Sequence, residues 1–242
     1  MDERFTQAYD PSETEDRIYA LWEKSGFFNP DVCVEHGVCP ADAGTFSIVL
    51  PPPNVTGTLH IGHAMMLVVE DIMVRYNRMR GRKTLWVPGT DHAAIATESK
   101  VAKLLAREGV KRHELGREAF LEKVDAFAKE SHATITHQVK KMGASLDWSR
   151  EAYTLDDKRQ TAVYTAFKKM HDDKLIYREH RIVNWDPKGQ TAISDDEVVH
   201  QEREATMYYF KYAPDFPITI ATTRPETKLG DTAVAVHPDD TR

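Results

Sequence analysis

The sequence predicts an α/β chain built on a parallel sheet, followed by the beginning of a β-rich unit. Three observations lead there. "GTFSIVLPPP" alternates little and is rich in Ile, Val and Leu, as a buried parallel strand is, and "KTLWVPGTDHA" reads as a second strand followed by a turn. Between them an apolar helix-length stretch runs from His60 to Gly81, and strand, helix, strand forms a right-handed βαβ unit. After Arg181 the texture changes to short β-branched or aromatic runs separated by Pro, Gly and Asp turns.

The elements follow in order. The opening "MDERFTQAYDPSETEDRIYALWEKSGFF" is too acidic and polar for a signal or transit peptide, and no run approaches the roughly 18 apolar residues of a membrane span. That reads as a cytosolic chain without membrane contact. Cys33 and Cys39, with His36 between them, are too few and too bunched for a metal site, and a disulfide conflicts with that compartment; they read as loop residues. The first strand then leads into "AMMLVVEDIMV", apolar almost all round, which predicts a deeply buried helix ending at Gly81. "AIATESKVAKLLAREG" and "GREAFLEKVDAFAKESHATITHQVKKMG" read as helices closed by Gly109 and Gly143, the second with a core face of Leu121, Val124, Phe127 and Ala128. "LDDKRQTAVYTAFKKMHDDKLIYR" is another helix, capped by Asp156 or Asp157. "RIVNW", "MYYFKY", "PITIAT" and "TAVAVH" read as strands, with a domain change near Ser194 to Val198 that divides residues 1–195 from 196–242. The net charge of −6 provides no global field for nucleic acid, so such contacts need local patches. Arg75, Arg78, Arg80, Arg82 and Lys83 form one, although a solvated helix end is the commoner meaning of such a cluster.

The chemistry concentrates in "PPPNVTGTLHIGHA". In an open parallel sheet, ligands bind outside the carboxyl ends of the strands, so this segment and "PGTDHA" face one crevice. Gly57 and Gly62 let a ligand approach the backbone. The following helix turns its N–H groups and positive dipole end toward the site, which favours phosphate. His60 and His63, on one face of the first turn, can donate to phosphate oxygens as negative charge grows on them. Taken alone, the two histidines also fit chance spacing, Asp91 and His92 fit a helix cap, and Asn54 fits a turn residue.

The wider pattern is more specific. "HIGH" (His60 to His63) resembles the nucleotide motif of class I aminoacyl-tRNA synthetases. Together with "VPGTDHAAIATE", "LDWSRE", "VNWDP", "TAISDDEV" and "ATTRPETKLGDTAVAVHP", in this order from about Arg17 onward, the chain resembles the valyl members of that family. The isoleucyl and leucyl relatives carry Gly-Trp-Asp where this chain has Gly89, Thr90 and Asp91.

The resemblance implies the first half of a Rossmann-like nucleotide-binding domain and the start of an inserted editing domain. It implies activation of valine with ATP and Mg²⁺ as substrate, and transfer to tRNA(Val) by a full-length parent that is a monomer. His60 and His63 would stabilise the α-phosphate; Thr58, Gly62 and Gly89 would join them in binding ATP. Asp91 would pair with the ammonium of valine, Asn54 would orient it, and Pro52 would form a pocket wall. Pro53, Val55, Thr56, Leu59 and Ile61 complete the motif region. Thr222, Thr223 and Arg224 resemble the threonine-rich stretch that edits threonyl-tRNA. An apolar pocket cannot strongly reject threonine in place of valine, a limit for which valyl-tRNA synthetase is itself the standard example.

Two departures stand out: Ala94 where glycine is expected and Lys228 where methionine is expected. "DPKGQ" at Asp186 to Gln190 lacks the cysteines of zinc-binding relatives, so no zinc is expected. The 242 residues contain no counterpart of the Lys-Met-Ser-Lys-Ser loop, so the resemblance implies an inactive isolated chain. A different nucleotidyl-transferring enzyme, or a non-catalytic ATP- or tRNA-binding chain, are the competing functions.

Overall fold

A computed structural model describes residues 8–241. Residues 1–7, which open the stretch read as too polar for targeting, lie outside the described part. The elements are α1 (Pro11–Ser25), α2 (Pro30–Glu35), β1 (Thr45–Val49), α3 (Ile61–Met79), β2 (Lys83–Val87), β3 (Gly89–Thr90), α4 (Ala94–Arg107), α5 (Arg112–Leu115), α6 (Arg117–Lys141), β4 (Ala152–Tyr153) and α7 (Asp157–Asp172). The hairpins β5 (Asn184–Asp186) with β6 (Thr191–Ile193), and β7 (Tyr208–Phe210) with β8 (Ile220–Thr222), follow. The chain divides into two compact units between Tyr177 and Arg178, earlier than the change of texture at Ser194 to Val198.

The first unit is centred on the βαβ unit. β1 and β2 are parallel in the register Thr45↔Lys83 to Val49↔Val87, with α3 as the crossover. Leu50, Val55, Leu67, Val74 and Trp86 pack there against Ala128, Ile135 and Val139 of α6, with Ala144 and Leu146 beyond it. The N-terminal half of α6 presents Phe120 to Val101 and Leu105 of α4, so one long helix joins two apolar clusters. β3 and β4 add a second parallel pair, Gly89↔Ala152 and Thr90↔Tyr153.

A polar knot fastens α3 to the segment after α6. Asp71 Oδ1 accepts from both the backbone N–H (3.1 Å) and the hydroxyl (2.5 Å) of Ser145. Arg78 donates to the Ser145 hydroxyl and carbonyl, and Arg75 to Asp71 and the Gly143 carbonyl. Two members of the predicted basic patch are thus committed to internal bonds. Arg78 is the more enclosed, and burial pulls its pKa below the ordinary arginine value.

α1 was not marked by the apolar pattern, but its ends follow helix rules. Asp10 caps it by accepting from Ser12 N–H at 2.8 Å, Pro11 opens it, and Gly26 closes it at φ 72°. Its Tyr19 donates to the Ala144 carbonyl (2.8 Å) and accepts from Trp148 (2.7 Å); burial pushes the phenol up to about 12.

Several expectations are corrected. β1 alternates between exposed and half-buried positions, and α3 is far from enclosed: Ile61, Met65, Val68, Val69, Ile72 and Tyr76 are all exposed. The sheet has two strands, so only one stripe of α3, through Leu67, Val74 and Asn77, finds partners. On α6 the expected Val124, Phe127 and Ala128 do face the core, but Leu121 is exposed and the neighbouring Phe120 is buried in its place. Cys33 lies in α2 and both cysteines are buried, free thiols. "TAVAVH" forms no strand.

Candidate functional site

The strand-to-helix turn after β1 lines a cleft of about 440 Å³ with Pro51, Pro52, Asn54, Thr58, His60 and His63 among its walls. Local chemistry fixes its shape. Pro53 and Val55 are buried, and the Leu59 N–H donates to Gln138 Oε1 of α6 at 2.8 Å, which anchors the loop. Gly57 holds φ at 151°, a conformation that disfavours any side chain. Thr56, Thr58 and Ile61 complete the turn; Thr58 and Ile61 are exposed.

His60 serves as the N-cap of α3. Its Nδ1 accepts from Gly62 N–H at 3.1 Å, and His63 Nδ1 accepts from His60 N–H at 3.3 Å, a reciprocal capping box made from imidazoles. The Gly62 N–H is therefore already taken, which corrects the picture of a first turn open to phosphate. Instead the bonds fix the tautomers. Each Nδ1 accepts, so each neutral ring carries its proton on Nε2. The rings lie 4.1 Å apart, centroid to centroid. Burial and the neighbouring His60 hold His63 below the ordinary 6.5, which favours the neutral form. Gly62 has a second reason to lack a side chain: a Cβ there would stand 3.0 Å from the His60 ring.

Asp91 follows β3 and meets the same turn through its backbone. It forms an isolated parallel bridge with Asn54: Asp91 N–H donates to the Pro53 carbonyl (2.9 Å), and Val55 N–H donates to the Asp91 carbonyl (2.8 Å). The helix-cap reading of Asp91 is excluded, because Ala93 occupies the cap of α4 and makes no side-chain bond. Gly89 is needed for strand pairing, since a Cβ would stand 3.0 Å from the Ala152 carbonyl.

Sequence reasoning missed the residues that support Asp91. Thr154 Oγ1 lies 2.9 Å from Asp91 Oδ1, 2.9 Å from the His92 N–H and 2.6 Å from His92 Nδ1. Thr90 Oγ1 meets His132 Nδ1 at 2.9 Å. No local signal marks these residues, because strand pairing brings them together across distant parts of the chain.

In the second unit, Thr222 ends β8 and its hydroxyl accepts from Arg224 N–H (3.1 Å); Thr223 and Arg224 are exposed, and Arg224 also bonds Glu226. The Lys228 ammonium lies 4.6 Å from the Phe210 ring centroid. Among the described residues no cluster of three His, Cys, Asp or Glu side chains could hold a metal, and no helix is long and apolar enough to cross a membrane.

A family model for tRNA synthetases class I (I, L, M and V) matches residues 17–223. The valine–tRNA ligase, chloroplastic/mitochondrial 2, of Arabidopsis thaliana is 53% identical over 95% of this chain and 23% of its own length. The valine–tRNA ligase of Acinetobacter baylyi is 48% identical over 97% of this chain and 24% of its own length. That of Treponema denticola is 49% identical over 98% of this chain and 27% of its own. The chain thus spans about a quarter of the length of these curated relatives. Among solved structures, the Agrobacterium radiobacter K84 agnB2 LeuRS in a ternary complex with tRNA and LeuAMS superposes with a TM-score of 0.54 at 22% identity. That match covers 73% of this chain and 21% of the LeuRS, and it bears on the fold alone.

Proposed function

Because this chain belongs to the class I tRNA synthetases of the I, L, M and V group, we propose that it supplies the valine- and ATP-phosphate-binding part of a valine–tRNA ligase. The observation that carries this reading is the cleft after β1. Two imidazoles with protons on Nε2 stand at the start of α3, and the Asp91 backbone is bridged to Asn54 of the same turn.

In this reading the carboxylate of valine attacks the α-phosphorus of ATP, pyrophosphate leaves, and valyl-adenylate forms. His60 and His63 donate Nε2–H to the α-phosphate oxygens, where charge grows in the transition state. Asp91 pairs with the ammonium of valine, an ionic hydrogen bond stronger than a neutral one. Asn54 orients the amino acid and Pro52 walls its side-chain pocket. Gly62 lets the adenine approach α3, while Thr58 and Gly89 border the ATP. Mg²⁺ arrives with ATP as part of the substrate. Valine then passes to the terminal ribose of tRNA(Val).

Residues 1–195 would belong to the catalytic domain and 196–242 would begin the editing insertion. There Thr222, Thr223 and Arg224 would contact mischarged threonyl-tRNA for hydrolysis. The setting is the cytoplasm, with a monomeric whole enzyme.

Calorimetric titration of the chain with a non-hydrolysable valyl-adenylate analogue, and with its leucyl counterpart, tests the proposal. The valyl compound is expected to bind more tightly. Equal affinity for both would sink the valine assignment, and no binding of either would sink the site.

A further inference from the structure

We propose that Thr154 is a positioning residue of the amino-acid site: its hydroxyl fixes the Asp91 carboxylate and holds His92 with a proton on Nδ1. The inference rests on the valine-site reading above for its functional meaning, and on geometry alone for the tautomer.

The placement follows from the sheet. β3 and β4 pair Gly89 with Ala152 and Thr90 with Tyr153, and the Thr154 N–H donates to the Thr90 carbonyl at 3.3 Å. The next residues on the two strands, Asp91 and Thr154, are thereby brought side by side. The far side of the turn is also held: Asp156 accepts from Tyr153 N–H (3.1 Å) and from Arg159 N–H (2.9 Å). Thr154 therefore meets Asp91 from a braced backbone.

A donor and acceptor count then assigns the protons. A threonine hydroxyl has one hydrogen to give and two lone pairs. The Thr154 hydroxyl has three neighbours: the His92 backbone N–H, His92 Nδ1 and Asp91 Oδ1. The backbone N–H can only donate, and an ionised carboxylate can only accept. The hydroxyl hydrogen must therefore go to Asp91, and both lone pairs must accept. One takes the backbone N–H, and the other requires a hydrogen on His92 Nδ1. That same Nδ1 lies 3.2 Å from Asp91 Oδ1, which further favours a donor there. All three positions of the hydroxyl are filled, and the carboxylate loses freedom to rotate.

The result is an imidazole of the opposite sense to its neighbours. His60 and His63 present Nε2–H, whereas a neutral His92 has a bare Nε2, an acceptor. The half-exposed His92 ring thus adds acceptor character beside a carboxylate, which suits a ligand carrying N–H donors, such as an ammonium.

The test uses the 242-residue chain, labelled with ¹⁵N. Long-range ¹H–¹⁵N correlation of the imidazoles reads each tautomer without any substitution. Neutral His92 is expected to show Nδ1–H, with His60 and His63 showing Nε2–H; a neutral His92 protonated on Nε2 overturns the inference. Thr154→Val keeps the shape and removes the hydroxyl. It should shift His92 toward the Nε2–H form and weaken valine binding about tenfold by calorimetry, with ATP binding unchanged. Thr154→Ser should restore both. Valine affinity unchanged in Thr154→Val, but lost in Asp91→Asn, would end the positioning role while leaving the valine site standing. Unchanged affinity in both variants would end the valine-site reading itself.

Discussion

Asn54 and Asp91 are register partners in a one-residue parallel bridge, each contributed by a different turn at the carboxyl end of a strand. The bridge sets the Asp91 side chain relative to the cleft after β1 through backbone bonds alone. Asp91→Asn should therefore keep the fold, because those bonds are unaffected, and remove only the charge. Valine affinity measured by calorimetry should drop at least about tenfold, with ATP affinity little changed, as expected for loss of an ionic hydrogen bond. Equal valine binding in both proteins would remove Asp91 from the site.

His60→Ala and His63→Ala should act on rate more than on affinity. In a synthetase that carries this chain together with the Lys-rich loop, each should slow valine-dependent ATP–pyrophosphate exchange about a hundred- to a thousandfold. The valine dissociation constant should stay near that of the parent. Parental exchange rates in both variants would show that neither imidazole serves the phosphate.

The pH response of His63 has a definite sign. Its folded pKa is held below the ordinary 6.5, so between the two values the unfolded chain binds the proton and the folded one does not. Stability should consequently fall as pH drops below 6.5. Protonation also puts a hydrogen on Nδ1, where the His60 N–H must donate. An NMR titration should show a His63 midpoint below 6.5; a midpoint above it contradicts the partly buried, neutral ring.

Ala94 stands where the family resemblance leads one to expect glycine, and its φ is 31°, next to Ala93 at 51°. Left-handed backbone costs an alanine about 1 kcal/mol or more relative to glycine. Ala94→Gly should accordingly raise the thermal midpoint by about 2–4 °C. A lowered midpoint would mean that the backbone there is unstrained.

Much of this could be read from the residues. The βαβ unit announced itself through one Ile-, Val- and Leu-rich run, a helical stretch and a second short strand, and Gly81, Gly109 and Gly143 marked helix ends where φ is indeed near 70–80°. Asp156 was recognisable as a cap. The site's location followed from "PPPN" and "PGTDHA" lying at strand ends. What escaped was non-local. Periodicity assumes that every apolar face has a partner, so it buried α3, whereas Ile61 and Met65 are 86% and 71% exposed. Thr154 carries no signal, because its importance comes from pairing with a strand some sixty positions earlier. The capping role of His60 was hidden for a different reason: histidine is not among the usual cap residues.

The opposed imidazole tautomers give the cleft a direction. In the proposed reading the amino-acid site has two lips: one, at the start of α3, offers hydrogens, and the other, where Asp91 bridges Asn54 with His92 next to it, offers lone pairs and a negative charge. A molecule with an anionic head and a cationic tail has one favourable way to lie in such a field. Reversed end for end, it sets its carboxylate against Asp91 and its ammonium against N–H donors, both unfavourable. A plain amine or a plain acid satisfies only one lip and leaves the other without a partner. Under the proposed reading, the site would thus favour zwitterions by their polarity before any side-chain pocket measures their size.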